Sequence, residues 1–131
     1  IKAKDGKFFI TGNHDYADYV KWNSQEEKQE NFNNLIHYHG EMDFKILMNE
    51  HIKIKREESE IAIVGIENWG MPPFPQFGDL KQATNNLNSG NFKLLLSHDP
   101  SHWDAEVVDF DMHFNLTMSG HTHGMQFGFY M

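Results

Sequence analysis

Leu116-Thr-Met-Ser-Gly-His-Thr-His-Gly124 is the stretch on which the reading of this chain turns. An apolar run, predicted as a β-strand over 114–118, leads into a small-residue turn, and His121 and His123 follow one residue apart. In an extended segment residues i and i+2 point to the same face, so both imidazoles can be offered to one place. Paired imidazoles at a strand end point to a metal centre, whereas a single turn histidine is often only a surface polar group. The weight of the pair therefore depends on what else the chain can bring there.

Two further strands are predicted to end in polar clusters. Lys7-Phe-Phe-Ile10 is a β-branched and aromatic run that stops at Thr11-Gly12 and is followed at once by Asn13-His14-Asp15. Phe92-Lys-Leu-Leu-Leu96 is a second apolar run, ending in Ser97-His98-Asp99-Pro100. In α/β proteins functional groups gather where strands pass into loops, because the sheet anchors those loops rigidly. With nine histidines in the chain, some will follow strands by chance, so the recurrence is stronger evidence than any one of them.

Between these runs, residues 24–41 are mostly strong helix formers and acidic residues. Ser24 is the predicted N-cap, with Glu27 completing a capping box, and Phe32, Leu35 and Ile36 fall on one helical face predicted to be buried. Alternation over 44–48 and 51–55 and a more continuous apolar run over 60–66 predict three successive strands in an antiparallel meander. Asn68-Trp-Gly-Met-Pro-Pro-Phe-Pro-Gln-Phe-Gly78 is too long for a simple turn and is a candidate substrate-side wall. A short helix over 79–87 and a last strand over 126–130 complete the predicted elements. His37 and His39 share the i, i+2 spacing but fall in the helix, where it points them apart, so both read as solvated. His51, His102 and His113 read as surface or structural. Trp69, Phe74 and Phe77 read as packing over the sheet edge rather than binding substrate.

Composition narrows the chemistry. A chain of 131 residues has room for one core, not two. Nineteen acidic against eleven basic residues give a formal charge of −8, which argues against a broad electropositive surface for nucleic acid. The absence of cysteine excludes disulfides, thiolate metal sites and a thiol nucleophile, leaving His, Asp, Glu and Asn as ligand types. Apolar runs such as Ile61-Ala-Ile-Val64 are far shorter than the ~18 residues a membrane helix needs, so no transmembrane segment is predicted. The compartment stays open between cytoplasm and cell envelope.

Gly12-Asn13-His14-Asp15, His98 within Ser-His-Asp-Pro, and Gly120-His121-Thr122-His123, in that order, resemble the last three of the five signature blocks of the calcineurin-like metallophosphoesterases. The resemblance spans almost the whole chain, and Gly-His-Thr-His-Gly-Met-Gln looks most like the bacterial branch of small phosphohydrolases, with Met125 where that branch carries a second Gly. It implies that Asn13, His98 and His121 ligate one metal and His123 a second. It also implies that His14 stands beside the ligands as the general acid for the leaving oxygen, and that Asp15 orders the turn or orients a neighbour. The implied cofactors are two divalent ions, Mn, Fe or Zn, and the implied reaction is hydrolysis of a small phosphorylated substrate by a hydroxide bridging them. The implied fold is α/β, part of a four-layer α/β/β/α sandwich.

The family's first two blocks, an Asp-x-His pair and a Gly-Asp, precede the Asn-His motif and carry further ligands. Only eleven residues precede Gly12 here, and Asp5, the sole carboxylate among them, reads with Gly6 as a hairpin turn. Residues 1–131 are therefore expected to be the C-terminal portion of a single metallophosphoesterase domain, with impaired activity as they stand. An uncovered sheet edge and face would then favour self-association. The alternative is a noncatalytic binding or scaffold module that retains the fold.

Overall fold

A computed structural model describes residues 2–122. The chain forms two sheets with helices interspersed. Strand β1, Lys7–Phe9, leads through a 3₁₀ turn, Asn13–Tyr16, into helix α1, Gln25–Glu41, and then into β2, Phe44–Ile46. β1 and β2 pair in parallel, with Lys7 opposite Phe44 and Phe9 opposite Ile46, so α1 is the crossover that a parallel pair requires. The second sheet is β3, Glu50–Arg56; β4, Ser59–Gly65; β5, Phe92–Leu96; and β6, Leu116–Met118, in that order. β3 and β4 form an antiparallel hairpin, while β4, β5 and β6 run parallel.

The predicted meander is thus corrected: β2 joins β1 in the other sheet rather than pairing with β3. Left-handed backbone at Asp43 (φ 63°) and Asn49 (φ 57°) brackets β2 and turns the chain out of one sheet and into the next. Ile46 and Leu47 continue beside Phe9, whose carbonyl accepts the Leu47 N–H at 2.8 Å. Alternation alone cannot distinguish a parallel partner from an antiparallel one. Asp5-Gly6 does form a turn, with Gly6 at φ 105°, but among the described residues it closes no hairpin, since β1 pairs only with β2; the Asp5 carboxylate pairs with Arg56 at the end of β3.

Helix α1 begins as predicted, with the Ser24 hydroxyl accepting the Glu27 N–H at 3.2 Å. The second half of the capping box is displaced by one residue, since Glu27 Oε2 takes the Asn23 N–H and side-chain amide. Phe32, Leu35 and Ile36 do share the inward face, but only half-buried. His39 is on that face as well, stacked on Phe9 with ring centroids 4.1 Å apart, which corrects the expectation that it is merely solvated. His37 is exposed beside Glu41.

The core lies on one side of the second sheet. Ala62, Val64, Ile66 and Leu95 pack against Trp69, Leu80, Ala83, Leu87, Val107 and Phe114. Helix α2, Leu80–Ala83, is shorter than predicted because the Thr84 hydroxyl donates back to the Leu80 carbonyl and Asn86 takes up left-handed backbone. A π-type turn, Trp103–Val107, follows β5. β6 is also shorter, since Phe114 enters the core and the Asn115 side chain accepts the Lys93 N–H. The two sheets meet at Gly65: a Cβ there would lie 2.4 Å from Leu47 Cβ and 2.9 Å from Ile10 Cγ2, so only glycine lets them approach so closely. Among the described residues no helix is long and apolar enough to cross a membrane. The strand predicted over 126–130 lies outside the described residues.

Candidate metal centre

Three strand ends come together. After β1, Gly12 and Asp15 close the 3₁₀ turn: Asp15 Oδ2 accepts the Gly12 N–H at 2.7 Å, and the Gly12 carbonyl accepts the Asp15 N–H at 3.1 Å. The turn ends at Ala17, a non-glycine residue with φ 52°. Asn13 is buried there and His14 is exposed, its ring 4.9 Å from that of Tyr19. The parallel β5–β6 pairing continues past both strands: Met118 O accepts the Ser97 N–H at 3.1 Å, and His98 O accepts the Gly120 N–H at 3.0 Å. That carries His98 and His121 to the same edge.

The donor atoms form a nearly equilateral triangle. Asn13 Oδ1 lies 3.1 Å from His98 Nε2 and 3.1 Å from His121 Nδ1, and the two ring nitrogens are 3.2 Å apart. Protons alone satisfy this arrangement poorly. If both nitrogens donate to the amide oxygen, two N–H groups face each other; if one is bare, an edge of the triangle loses its bond. A cation shared by all three lone-pair atoms relieves the conflict. Donors bound at ~2.0–2.1 Å in a tetrahedral shell are separated by ~3.3 Å, close to the spacing observed. Two imidazoles and an amide oxygen suit borderline divalent metals without selecting one.

Local packing holds this geometry. A Cβ on Gly12 would stand 2.7 Å from the His98 ring, so glycine there gives the imidazole room against the backbone. His121 has φ 43°, a left-handed conformation that a non-glycine residue adopts at a cost of ~1–3 kcal/mol and that clusters at functional sites. The Phe74 ring, from the 68–78 loop, sits edge-on to His121 with centroids 5.0 Å apart. That loop therefore does border the site. Trp69 instead packs into the core, while Phe74 and Phe77 remain partly exposed.

Electrostatics favour a neutral donor at His98. Burial pushes its imidazole below the ordinary value, and the neighbouring His121 and His14 push the same way against Asp15 and Asp99. At Asp99, burial would raise the carboxyl, but the Ser101 backbone N–H and hydroxyl, together with His121 and His98, hold it below the usual carboxylate range. Asp99 Oδ2 lies 3.8 Å from His121 Nε2. Among the described residues no three His, Cys, Asp or Glu side chains converge on one point, so the amide of Asn13 is what completes the set.

Comparison with known proteins gives this cluster a context. The Bacillus subtilis protein named uncharacterized metallophosphoesterase YkoQ is 28% identical over 127 residues, which are 96% of this chain and 40% of that protein. The Danio rerio transmembrane protein with metallophosphoesterase domain is 31% identical over 134 residues, 96% of this chain and 28% of that protein. A Caenorhabditis elegans protein named as a metallophosphoesterase is 29% identical over 96% of this chain and 25% of its own length. The chain belongs to the metallophosphoesterase family. It spans well under half the length of these relatives. No family model matches it, and no solved structure does.

Within this metallophosphoesterase chain, Asn13, His98 and His121 meet at the triangle. His14 follows Asn13 in the same 3₁₀ turn but points to Tyr19, and Asp15 acts on the turn through Gly12. His123, the other member of the opening pair, lies outside the described residues. Sequence reasoning missed two neighbours of His121. Asp99 follows His98 directly and on strand alternation should face away, but its carboxylate turns back where Ser101 N–H and Oγ bind Oδ1 at 2.9 and 2.7 Å. Phe74 carried no signal beyond its place in the loop. His102, read as surface or structural, is fully buried, bonded to Ser97 Oγ at 3.0 Å and Glu106 Oε2 at 3.3 Å.

Proposed function

We propose that the protein containing this chain is a metal-dependent phosphohydrolase acting on a small phosphorylated substrate. The observation that carries the reading is the convergence of Asn13 Oδ1, His98 Nε2 and His121 Nδ1 within 3.2 Å of one another. In this reading those three hold one divalent ion, Mn, Fe or Zn, and His123 belongs to a second. When bound, such ions clamp phosphoryl oxygens and make a hydroxide nucleophile available near neutral pH.

The chain's own residues supply the rest. In this reading His14, exposed and next in sequence to Asn13, gives the leaving oxygen a proton as the ester bond breaks. Asp15 keeps the turn closed so that Asn13 faces inward while His14 faces out. Phe74 and the 68–78 loop exclude water from one side of His121. We further propose that residues 1–131 are part of a single four-layer α/β/β/α domain. This is supported by α1 packing on the first sheet through His39 and Phe9, by the sheets meeting at Gly65, and by α2 packing on the second through Leu80 and Ala83.

Hydrolysis of a generic aryl phosphate and an aryl phosphodiester by the intact protein with added Mn²⁺ tests the reading. His121→Ala is expected to lose metal binding and turnover together. His14→Ala is expected to bind metal normally and lose ~10²–10⁴ in rate. Equal rates for His14→Ala and the parent would remove His14 from the mechanism. One observation favours a second reading, a binding module that keeps the fold without the chemistry. Among the described residues no carboxylate joins the triangle, and absence of turnover despite tight metal binding would select it.

A further inference from the structure

We infer that Asp99 is a positioning residue for His121: its carboxylate faces Nε2, draws the ring proton to that nitrogen, and thereby commits Nδ1, unprotonated, to the triangle with Asn13 and His98. The inference rests on the metal-site reading above but concerns this chain's own side chains. A neutral imidazole carries one proton on either of two nitrogens, and the group facing one nitrogen selects which of them keeps it. His121 Nδ1 faces Asn13 Oδ1 at 3.1 Å and His98 Nε2 at 3.2 Å, whereas Nε2 faces Asp99 Oδ2 at 3.8 Å. A carboxylate can only accept, so the proton is drawn to Nε2 and a lone pair is left on Nδ1.

The carboxylate is built for that use. Asp99 is 6% exposed, and both Ser101 bonds fall on Oδ1, leaving Oδ2 for His121. Oδ2 rests against Gly70, where a Cβ would lie 2.8 Å away, so the backbone of the 68–78 loop leaves just the space this oxygen occupies. The same loop presses Phe74 edge-on against the imidazole. His121 therefore lies between a fixed carboxylate and a ring while its own backbone sits at φ 43°. Carboxylate partners of this kind fix the tautomer and raise the basicity of a ligating imidazole.

Asp99→Asn separates this role from a structural one. An asparagine can keep the Oδ1 bonds to Ser101 and so preserve the turn, but offers His121 no carboxylate. In the intact protein, ¹⁵N spectra of the metal-free state are expected to show His121 protonated at Nε2, and Asp99→Asn to show a mixture of tautomers. Co²⁺ affinity, followed by its visible absorption, is expected to fall ~10–100-fold in Asp99→Asn with the unfolding midpoint unchanged. Gly70→Ala, which crowds Oδ2, is expected to move both readouts the same way. An Nδ1-protonated His121 in the parent, or unchanged tautomer and affinity in Asp99→Asn, would overturn the inference. A parent that shows the Nε2 tautomer but binds no Co²⁺ would leave the positioning intact and refute the metal site instead.

Discussion

At the scale of single residues, the cluster depends on atoms that are absent as much as on those present. His98 packs so closely over Gly12 that one added methyl group must displace either the ring or the turn. Gly12→Ala is expected to destabilise the fold by ~1–3 kcal/mol, the usual cost of overpacking, as read by urea unfolding. It should also weaken Co²⁺ binding, since His98 Nε2 cannot keep its 3.1 Å distance to Asn13 Oδ1 once the ring shifts. Retention of both stability and affinity would show that the ring has room elsewhere. The residues of the cluster were legible in the sequence as polar residue types after strands. The need for Asp99 was not, because a side chain's partner across a turn is invisible to strand alternation.

At the scale of elements, a polar chain ties the site's turn to the loop beneath it. The Thr11 hydroxyl lies 2.8 Å from the Tyr16 phenol, which donates to Glu67 Oε1 at 3.1 Å. Asn49 Nδ2 donates to Glu67 Oε2 and to Phe77 O, while its Oδ1 accepts the Glu67 and Asp79 N–H groups. Burial raises the Tyr16 phenol well above its ordinary range, so it stays a neutral donor throughout the physiological range. Tyr16→Phe is expected to cost ~1–3 kcal/mol because Glu67 keeps its burial and loses a donor. Denaturant unfolding measures that loss, and a change below about 0.5 kcal/mol would place the network outside the stability of the fold. None of these long-range partners shows in local periodicity. Helix α1 does, through Ser24 and the spacing of Phe32, Leu35 and Ile36. β2 was legible as a strand but not in its partner, since pairing depends on where the crossover helix returns the chain.

At the scale of the whole molecule, burial of imidazoles makes stability depend on pH. Burial pushes both His98 and His102 below the ordinary value near 6.5. The unfolded chain therefore binds protons that the folded chain refuses as pH falls below about 6.5, so stability is full above that value and declines below it. Metal-free protein is expected to show a lower urea midpoint at pH 5.5 than at pH 7.5. His102→Asn, which removes one of the two imidazoles, should flatten that difference. A midpoint independent of pH across this window would refute the buried-imidazole account.

The sequence by itself determined which residues could do chemistry and that they stand at strand ends, because alternation, capping and turn composition are local properties. Only the tertiary structure decided that three of them share one point. Asn13 is 85 residues from His98 and 108 from His121, and no local pattern spans such distances. They meet because β5 and β6 run parallel to the same edge and Gly65 lets the first sheet press against the second. Which nitrogen of His121 is offered there was likewise settled by packing, through the rotation of one ring between Phe74 and its neighbours.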